Sequence, residues 1–310
     1  AKPHAEVFGS GFAATCGEAD FRRVNLEKVF AKYSGSGNDF VMFDNFDGSF
    51  DIFDKAAVTR YVCRRSISIG ADGAIFVDSA DAARARMRYF NSDGSEASMC
   101  GNGARCTGAF ASKILNESEF AILTGAGIVQ CAIADTRFDE NFGKQVFVQV
   151  QMPNCELLTP ALELVIDKLP FVADYYNSGV PHAVFIVDDV AAIPVEQWGR
   201  IIRHHRAFAP AGANVDFVEV IDENTLRVRT YERGVEAETL ACGTGCVASA
   251  VSAARRKLTT QNVHTIVELP DKLSVSFSLD SFGHGRDVRF AGYVIHSFDG
   301  TIFLPDGLKK

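Results

Sequence analysis

EASMCGNG (residues 96–103) and ETLACGTG (residues 238–245) are two copies of one pattern, a glutamate four residues before a cysteine that is followed by Gly-x-Gly. What precedes each copy is duplicated too. GSGNDFV (35–41) and RMRYFN (86–91) lead to the first, and AGANVDFV (211–218) and RVRTYE (227–232) lead to the second. An ordered set of patterns met twice calls for duplicated halves before any single motif is interpreted. Each R-x-R-x-[FY] segment alternates polar and apolar residues, which predicts half-buried strands over 85–90 and 226–231. After each cysteine loop comes a run of small and apolar residues, 104–115 and 246–258, that suits a buried helix ending in a basic turn. The cysteines therefore stand at helix starts. Further strands are expected at 40–43, 74–77, 145–151, 183–187 and 273–277, so the fold class is α+β with strand-rich halves. Pro153 to Pro160 reads as a polar, Pro-bounded crossover, which puts the domain boundary near residue 150.

With 310 residues and 47% hydrophobic composition, the chain has ample material for a core and fits two ordinary domains. Its net charge of −8, from 31 basic and 39 acidic side chains with no basic stripe, argues against a nucleic-acid partner. Charged, Gly or Pro positions interrupt every hydrophobic stretch, so no membrane span is expected. Residues 1–25 lack the basic start, apolar middle and cleavage site of a secretory signal and are set aside as an extension of unknown role. A chain of this size does not need disulfides to fold, so its eight cysteines are expected to be reduced and the protein cytoplasmic. Zinc is disfavoured as well: the spacing from Cys100 to Cys106 is too long, and Cys242/Cys246 lacks a second ligand cluster. No metal and no cofactor are expected.

A thiol serves an enzyme as its thiolate, and a helix N-terminus is expected to lower its pKa through unpaired backbone N–H groups and the helix dipole. Gly101 and Gly103, like Gly243 and Gly245, leave those N–H groups open to a small anion such as a carboxylate. If the halves pack face to face, Cys100 and Cys242 flank one cleft. One thiolate then removes an α-proton and the opposite thiol returns one, which inverts the carbon without a cofactor. Cysteine is ordinarily a small core hydrophobe, and that reading is kept for Cys63, Cys131 and Cys155, and for Cys106 and Cys246 inside the helices. It does not explain why Cys100 and Cys242 share their glutamate and their Gly-x-Gly. Neither loop completes GxGxxG or a P-loop, which excludes a nucleotide site. Asn38, Asn91 and Asn214 are ordinary turn residues taken singly. Glu232 and Arg233 sit between a strand and the Cys242 loop, where an acid and a base can read an amino acid's ammonium and carboxylate. His182 is assigned a supporting place behind the residues that touch substrate.

In combination, SGSGNDFV, YFNSDGSEASMCGNGARC, ANVDFV, YERGVEAETLACGTG and the terminal GYVIHSFDG resemble the successive signatures of the diaminopimelate epimerases, over about residues 26–304. The resemblance implies two pseudo-symmetric domains, each a barrel-like sheet wrapped around a central helix. Residues 26–150 would form the first and 151–291 the second, with 292–304 returning to the first. It implies that Cys100 and Cys242 are the acid/base pair interconverting LL- and meso-diaminopimelate, a step of lysine and peptidoglycan biosynthesis. Gly101, Asn102, Gly243 and Thr244 would hold the carboxylate at the reacting centre. Asn38, Asn91, Asn214, Glu232 and Arg233 would bind substrate, several of them at its distal end. Reading that second ammonium and carboxylate gives selectivity, because a simple amino acid leaves the site's polar groups unpaired.

Two departures bear on the distal end. Many members have GNPH where this chain has Gly179, Val180, Pro181 and His182, so Val180 offers no side-chain amide, and Asn177 is the nearest substitute. Many also have Gln where this chain has Gly73. The alternatives are a proline or hydroxyproline racemase of the same fold, whose members usually carry His where this chain has Asn102, and a catalytically inactive binding protein. The partner expected is a small amino acid; a homodimer is entertained as the assembly, which the sequence does not fix.

Overall fold

A computed structural model describes residues 26–166, 168–267 and 272–310; the extension assigned to residues 1–25 lies outside them. The first half supplies strands β1 (Glu27–Gly35), β2 (Asn38–Asn45), β3 (Gly73–Asp78), β4 (Ala85–Asn91), β5 (Glu96–Ala97), β6 (Glu119–Thr124), β7 (Gly127–Asp139) and β8 (Gly143–Gln151). Helices α1 (Lys55–Val62) and α2 (Gly101–Leu115) lie among them. The second half supplies β9 (Glu156–Ile166), β10 (Leu169–Asn177), β11 (Pro181–Val187), β12 (Asn214–Asp222), β13 (Thr225–Glu232), β14 (Ala237–Thr239), β15 (Asn262–Ile266), β16 (Lys272–Leu279) and β17 (Gly285–Phe303). Its helices are α3 (Val195–Arg203) and α4 (Gly243–Arg255).

Two closed rings of strands follow from the pairing. In the first, β1–β2–β3–β4–β6–β7–β8 runs round to β17, which pairs back with β1. In the second, β9–β10–β11–β12–β13–β15–β16 runs round to the other end of β17, and a bridge between Cys155 and Gly285 shuts it. Both rings hold the same two parallel pairs, β2/β3 with β4/β6 and β11/β12 with β13/β15. Parallel neighbours need a long crossover, and a helix fills it each time: α1 or α3 outside the ring, α2 or α4 inside. Strand β17 belongs to both rings. Its residues up to Ala291 pair with β16, and those from Gly292 onward pair with β8 and β1.

Composition explains why α2 and α4 go inside. Both are built largely of Gly, Ala, Ser, Thr, Cys and Val, and α4 is buried from Gly245 to Ala254 on every face, the mark of a core helix rather than an amphipathic one. Small residues let the strands close in: a β-carbon at Gly108 would lie 2.4 Å from the Cys131 sulfur. Outside the rings, α1 covers an aromatic layer of Phe43, Phe50, Phe53 and Phe76, and α3 covers Phe185 and Phe217 with Trp198. The side chain of Asp54 caps α1 by accepting from the Ala56 and Ala57 amides.

The expected strands and the two inner helices are present, the helices starting three residues earlier than the small-residue runs predicted. The duplicated glutamates acquire a structural reason: Glu96 pairs with Arg88 at 2.8 Å and Glu238 with Arg229 at 2.6 Å, each ion pair clipping a short strand to the one before it. Two expectations are corrected. GSGNDFV does not correspond to AGANVDFV, because β12 takes the place of β3, parallel to one neighbour and antiparallel to the next; the counterpart of the β1–β2 turn is the β10–β11 turn at residues 177–181. Pro153 to Pro160 is not all linker either, since β9 begins at Glu156 and pairs with β10.

Candidate active site

Cys100 and Cys242 are the N-cap residues of α2 and α4, both in extended backbone conformation. Both helix starts open into one cavity of about 340 Å³ lined by Asn38, Asn91, Cys100, Gly101, Asn102, Asn214, Glu232, Arg233, Cys242, Gly243 and Thr244. Every residue expected to act on or bind substrate is therefore at its wall. His182 is not; it is fully buried behind Thr244, whose Oγ1 lies 2.9 Å from its Nε2.

A chain of side-chain hydrogen bonds orients the first half's contribution. The Arg105 guanidinium, fully buried and stacked at 4.7 Å over the Phe290 ring, donates to Asn102 Oδ1 at 2.7 Å. Since guanidinium nitrogens only donate, this fixes which way the Asn102 amide faces. Asn102 Nδ2 then donates to Asn38 Oδ1 at 2.9 Å, and Asn38 Nδ2 donates to Asp72 at 3.3 Å. Nearby, the Tyr89 hydroxyl donates to Asn91 Oδ1 at 2.7 Å, and Asn91 Nδ2 donates to Ser95 at 3.0 Å. In the second half the Arg233 backbone amide donates to Asn214 Oδ1 at 2.8 Å, and the Thr239 hydroxyl donates to Glu232 at 2.6 Å.

The thiols correct an expectation. Burial, the largest influence, raises the pKa of both Cys100 and Cys242, and the Glu232 carboxylate pushes each further up. Helix-start amides do act in the predicted direction, Gly103 on Cys100 at 3.4 Å and Gly245 on Cys242, but a few weak N–H···S contacts do not offset the cost of a buried charge. Both sulfurs are thus shifted toward the thiol form. Glu232 is raised as well, chiefly by burial, against the pull of Thr239. All seven cysteines of the described residues are free.

Sequence reasoning missed several wall residues, among them Tyr89, Met152 and Ser178, the last donating to the Thr244 carbonyl at 2.9 Å. Asn177 does not take over an amide's role at the wall: its Oδ1 accepts from Gly179 N at 3.0 Å and closes the turn instead. Val180 reaches the cavity at the position that matches Asn38 in the other half. At the second departure, Gly73, a β-carbon would lie 2.6 Å from the Tyr89 ring and 2.5 Å from the Phe90 carbonyl, so Tyr89 fills the space a side chain there would need.

A family model described as diaminopimelate epimerase matches residues 30–148 and 175–277. The diaminopimelate epimerase of Aquifex aeolicus is 36% identical over 88% of this chain and 97% of its own length, and that of Methanocella arvoryzae is 40% identical over 81% and 90%. This chain belongs to the diaminopimelate epimerase family. It is an isomerase, and its reaction is the epimerisation of diaminopimelate. Among solved structures, a hydroxyproline epimerase from Agrobacterium vitis superimposes with a TM-score of 0.65 over 91% of this chain and 94% of its own. At 13% identity that likeness shows a shared fold and says nothing of substrate. Among the described residues no helix is long and apolar enough to cross a membrane.

Proposed function

We propose that Cys100 and Cys242 are the acid/base pair of this epimerase and that inversion at the α-carbon needs no organic cofactor. One thiolate takes the α-proton from one face, the bonding electrons remain on carbon, and the other thiol delivers its proton to the opposite face. Each turnover leaves the thiolate on the other sulfur. The observation that carries this reading is that the two sulfurs, each heading a buried helix from one of the duplicated halves, open into a single cavity. Gly101, Asn102, Gly243 and Thr244 hold the substrate carboxylate at the helix starts, where charge developing on carbon and carboxylate is met by fixed N–H dipoles. Asn38, Asn91, Asn214, Glu232 and Arg233 bind the remaining polar groups, several of them at the distal end.

The raised thiols fit this scheme. Glu232 disfavours thiolate at both cysteines, and a substrate ammonium that pairs with Glu232 removes that push, so ionisation is easiest once the amino acid is bound. Residues 26–150 with 292–304 and residues 151–291 are proposed as the two domains, meeting at the cavity. Cytoplasmic location and a homodimeric assembly complete the reading, checked by cell fractionation and by sedimentation.

Incubation with LL-diaminopimelate in deuterated water under reducing conditions is expected to place deuterium at one α-carbon of the meso product. Cys100→Ala and Cys242→Ala should each abolish turnover. Absence of exchange in the native enzyme, or near-normal turnover in either variant, overturns the assignment.

A further inference from the structure

The carboxamides at the cavity wall are turned by obligate partners so that they keep donors, not acceptors, in reserve. Arg105 only donates, so the atom of Asn102 facing it at 2.7 Å is Oδ1 and the atom facing Asn38 at 2.9 Å is Nδ2. Asn38 therefore receives that bond on Oδ1 and turns Nδ2 to the Asp72 carboxylate. Ser95 gives its hydroxyl proton to Asp93 at 2.6 Å, so it accepts from Asn91 Nδ2 at 3.0 Å, and Asn91 Oδ1 is left to take the Tyr89 hydroxyl. The Arg233 backbone N–H must donate, which puts Asn214 Oδ1 against it at 2.8 Å. All four oxygens thus accept from the protein, while each NH₂ group spends one of its two hydrogens on a protein acceptor. In the second half the place of Asn38 is held by Val180, which brings neither donor nor acceptor.

Charged groups are sparser still. Among the described residues lining the cavity, Glu232 is the single acid and Arg233 the single base. Glu232 acts on both thiols, which places it with the ammonium on the reacting carbon, and the helix starts take the carboxylate on that carbon. The Arg233 guanidinium has no hydrogen-bond partner among the described residues and is left for the distal carboxylate, with the spare carboxamide N–H groups to share it. Diaminopimelate carries a fourth charge, the distal ammonium, and the wall has no second carboxylate for it. The acids of the adjoining outer recess are committed elsewhere, Asp72 to Arg65 at 2.8 Å, Glu238 to Arg229 at 2.6 Å and Asp93 to Ser95.

We infer that the enzyme reads the distal end of its substrate by the carboxylate alone and is therefore also a racemase of 2-aminopimelate, the seven-carbon diacid with one amino group. The class is that of 2-aminodicarboxylates whose second carboxylate reaches Arg233 while the first sits at the helix starts. The chemistry is unchanged: one thiolate takes the α-proton, the electron pair stays on carbon, the other thiol returns a proton, and no bond at the distal carbon alters. Lysine is the opposite case. It keeps the distal ammonium and lacks the distal carboxylate, so it leaves Arg233 unpaired and is rejected. The inference rests on the roles proposed for Glu232, Arg233 and the cysteine pair.

Purified enzyme in deuterated water, given L-2-aminopimelate, L-lysine or LL-diaminopimelate, is followed by loss of the α-proton NMR signal and by chiral chromatography. The kcat/KM for 2-aminopimelate is expected within about tenfold of the diaminopimelate value, the scale of one neutral hydrogen bond. Lysine should fall lower by roughly 10⁴-fold, as for a site that loses the group it is built to bind. Arg233→Gln should lower kcat/KM for both diacids alike, by roughly a hundredfold, because both are held by the same charge-assisted pair. With diaminopimelate turned over normally, a 2-aminopimelate value lower by a hundredfold or more overturns the inference and leaves the cysteine pair standing. Lysine turned over as fast as 2-aminopimelate, or an Arg233→Gln loss confined to diaminopimelate, does the same. Failure of diaminopimelate itself to exchange overturns both readings.

Discussion

A β-carbon added to Gly243 would fall 2.9 Å from Cε1 of Phe290, so the first turn of α4 rests directly on that ring. The first turn of α2 reaches the adjoining carbon of the same ring, a β-carbon at Gly101 lying 3.7 Å from Cδ1. One aromatic side chain on the strand shared by both rings thus sets the separation of the two helix starts that bear the cysteines. Gly243→Ala is expected to push α4 off this seat. Overpacking of this kind costs about 1–3 kcal/mol, whereas a shift of about 1 Å at reacting groups can cost about 100-fold in rate. Activity should therefore fall much further than stability, read as kcat/KM against the urea midpoint; equal, small effects on both would show that the ring does not gauge the site.

Tyr89 and Gly73 make a second coupled pair. The ring occupies the room that Gly73 leaves open, and the hydroxyl holds Asn91 at the cavity wall by the 2.7 Å bond. Tyr89→Phe keeps the packing and removes one hydrogen bond worth about 1 kcal/mol, so KM for diaminopimelate should rise several-fold with kcat nearly unchanged. Gly73→Ala drives a methyl into a backbone carbonyl and should lower stability by more than 2 kcal/mol, roughly the upper range of small-to-large changes. A KM unaltered in Tyr89→Phe would remove the residue from substrate recognition.

Much of this was legible in the chain itself. The twin CGxG loops announced duplicated halves and placed both cysteines at helix starts, because the motif, the preceding strand and the small-residue helix repeat together. Three features were hidden for physical reasons. β9 and β10 lack clean alternation and are interrupted by Pro160 and Pro170, so strand periodicity was weak there. Asp216 stands in a run that otherwise reads as a buried strand, and only the fold brings its carboxylate within 2.7 Å of His182 Nδ1. The thiol pKa depends on burial, which no local motif reports, and that is why the net shift is upward although the helix-start amides pull downward as the motif implies.

The GNGARC motif by itself implies no task for Arg105, and the fold shows one. It is the donor from which the Asn102–Asn38–Asp72 chain takes its direction, and it also reaches Ser36 Oγ at 2.6 Å. Arg105→Lys keeps a charge but loses the planar fork and the stacking on Phe290. The carboxamides of Asn102 and Asn38 lose their fixed orientation, and KM should rise by roughly tenfold while the far-ultraviolet circular dichroism stays native. Full activity in that variant would mean the two asparagines are oriented by other contacts.

Glu232 links the titration of the site to its charge. Its carboxylate, next to burial, raises both thiols, so Glu232→Gln should let Cys100 and Cys242 react with iodoacetamide at lower pH, while the buried Cys106, raised by burial and by Cys100 rather than by Glu232, should not change. Stability carries the same sign. Burial pushes Cys63, Cys106, Cys131 and Cys246 from the ordinary 9.0 up to about 12, so an unfolded chain ionises them first. Their contribution is complete below about pH 9 and is lost as pH climbs toward 12, so the urea midpoint should fall across that window. Cys131→Ala, which removes one such thiol, should flatten the decline; a midpoint indifferent to pH over that range would mean that these thiols ionise as readily folded as unfolded.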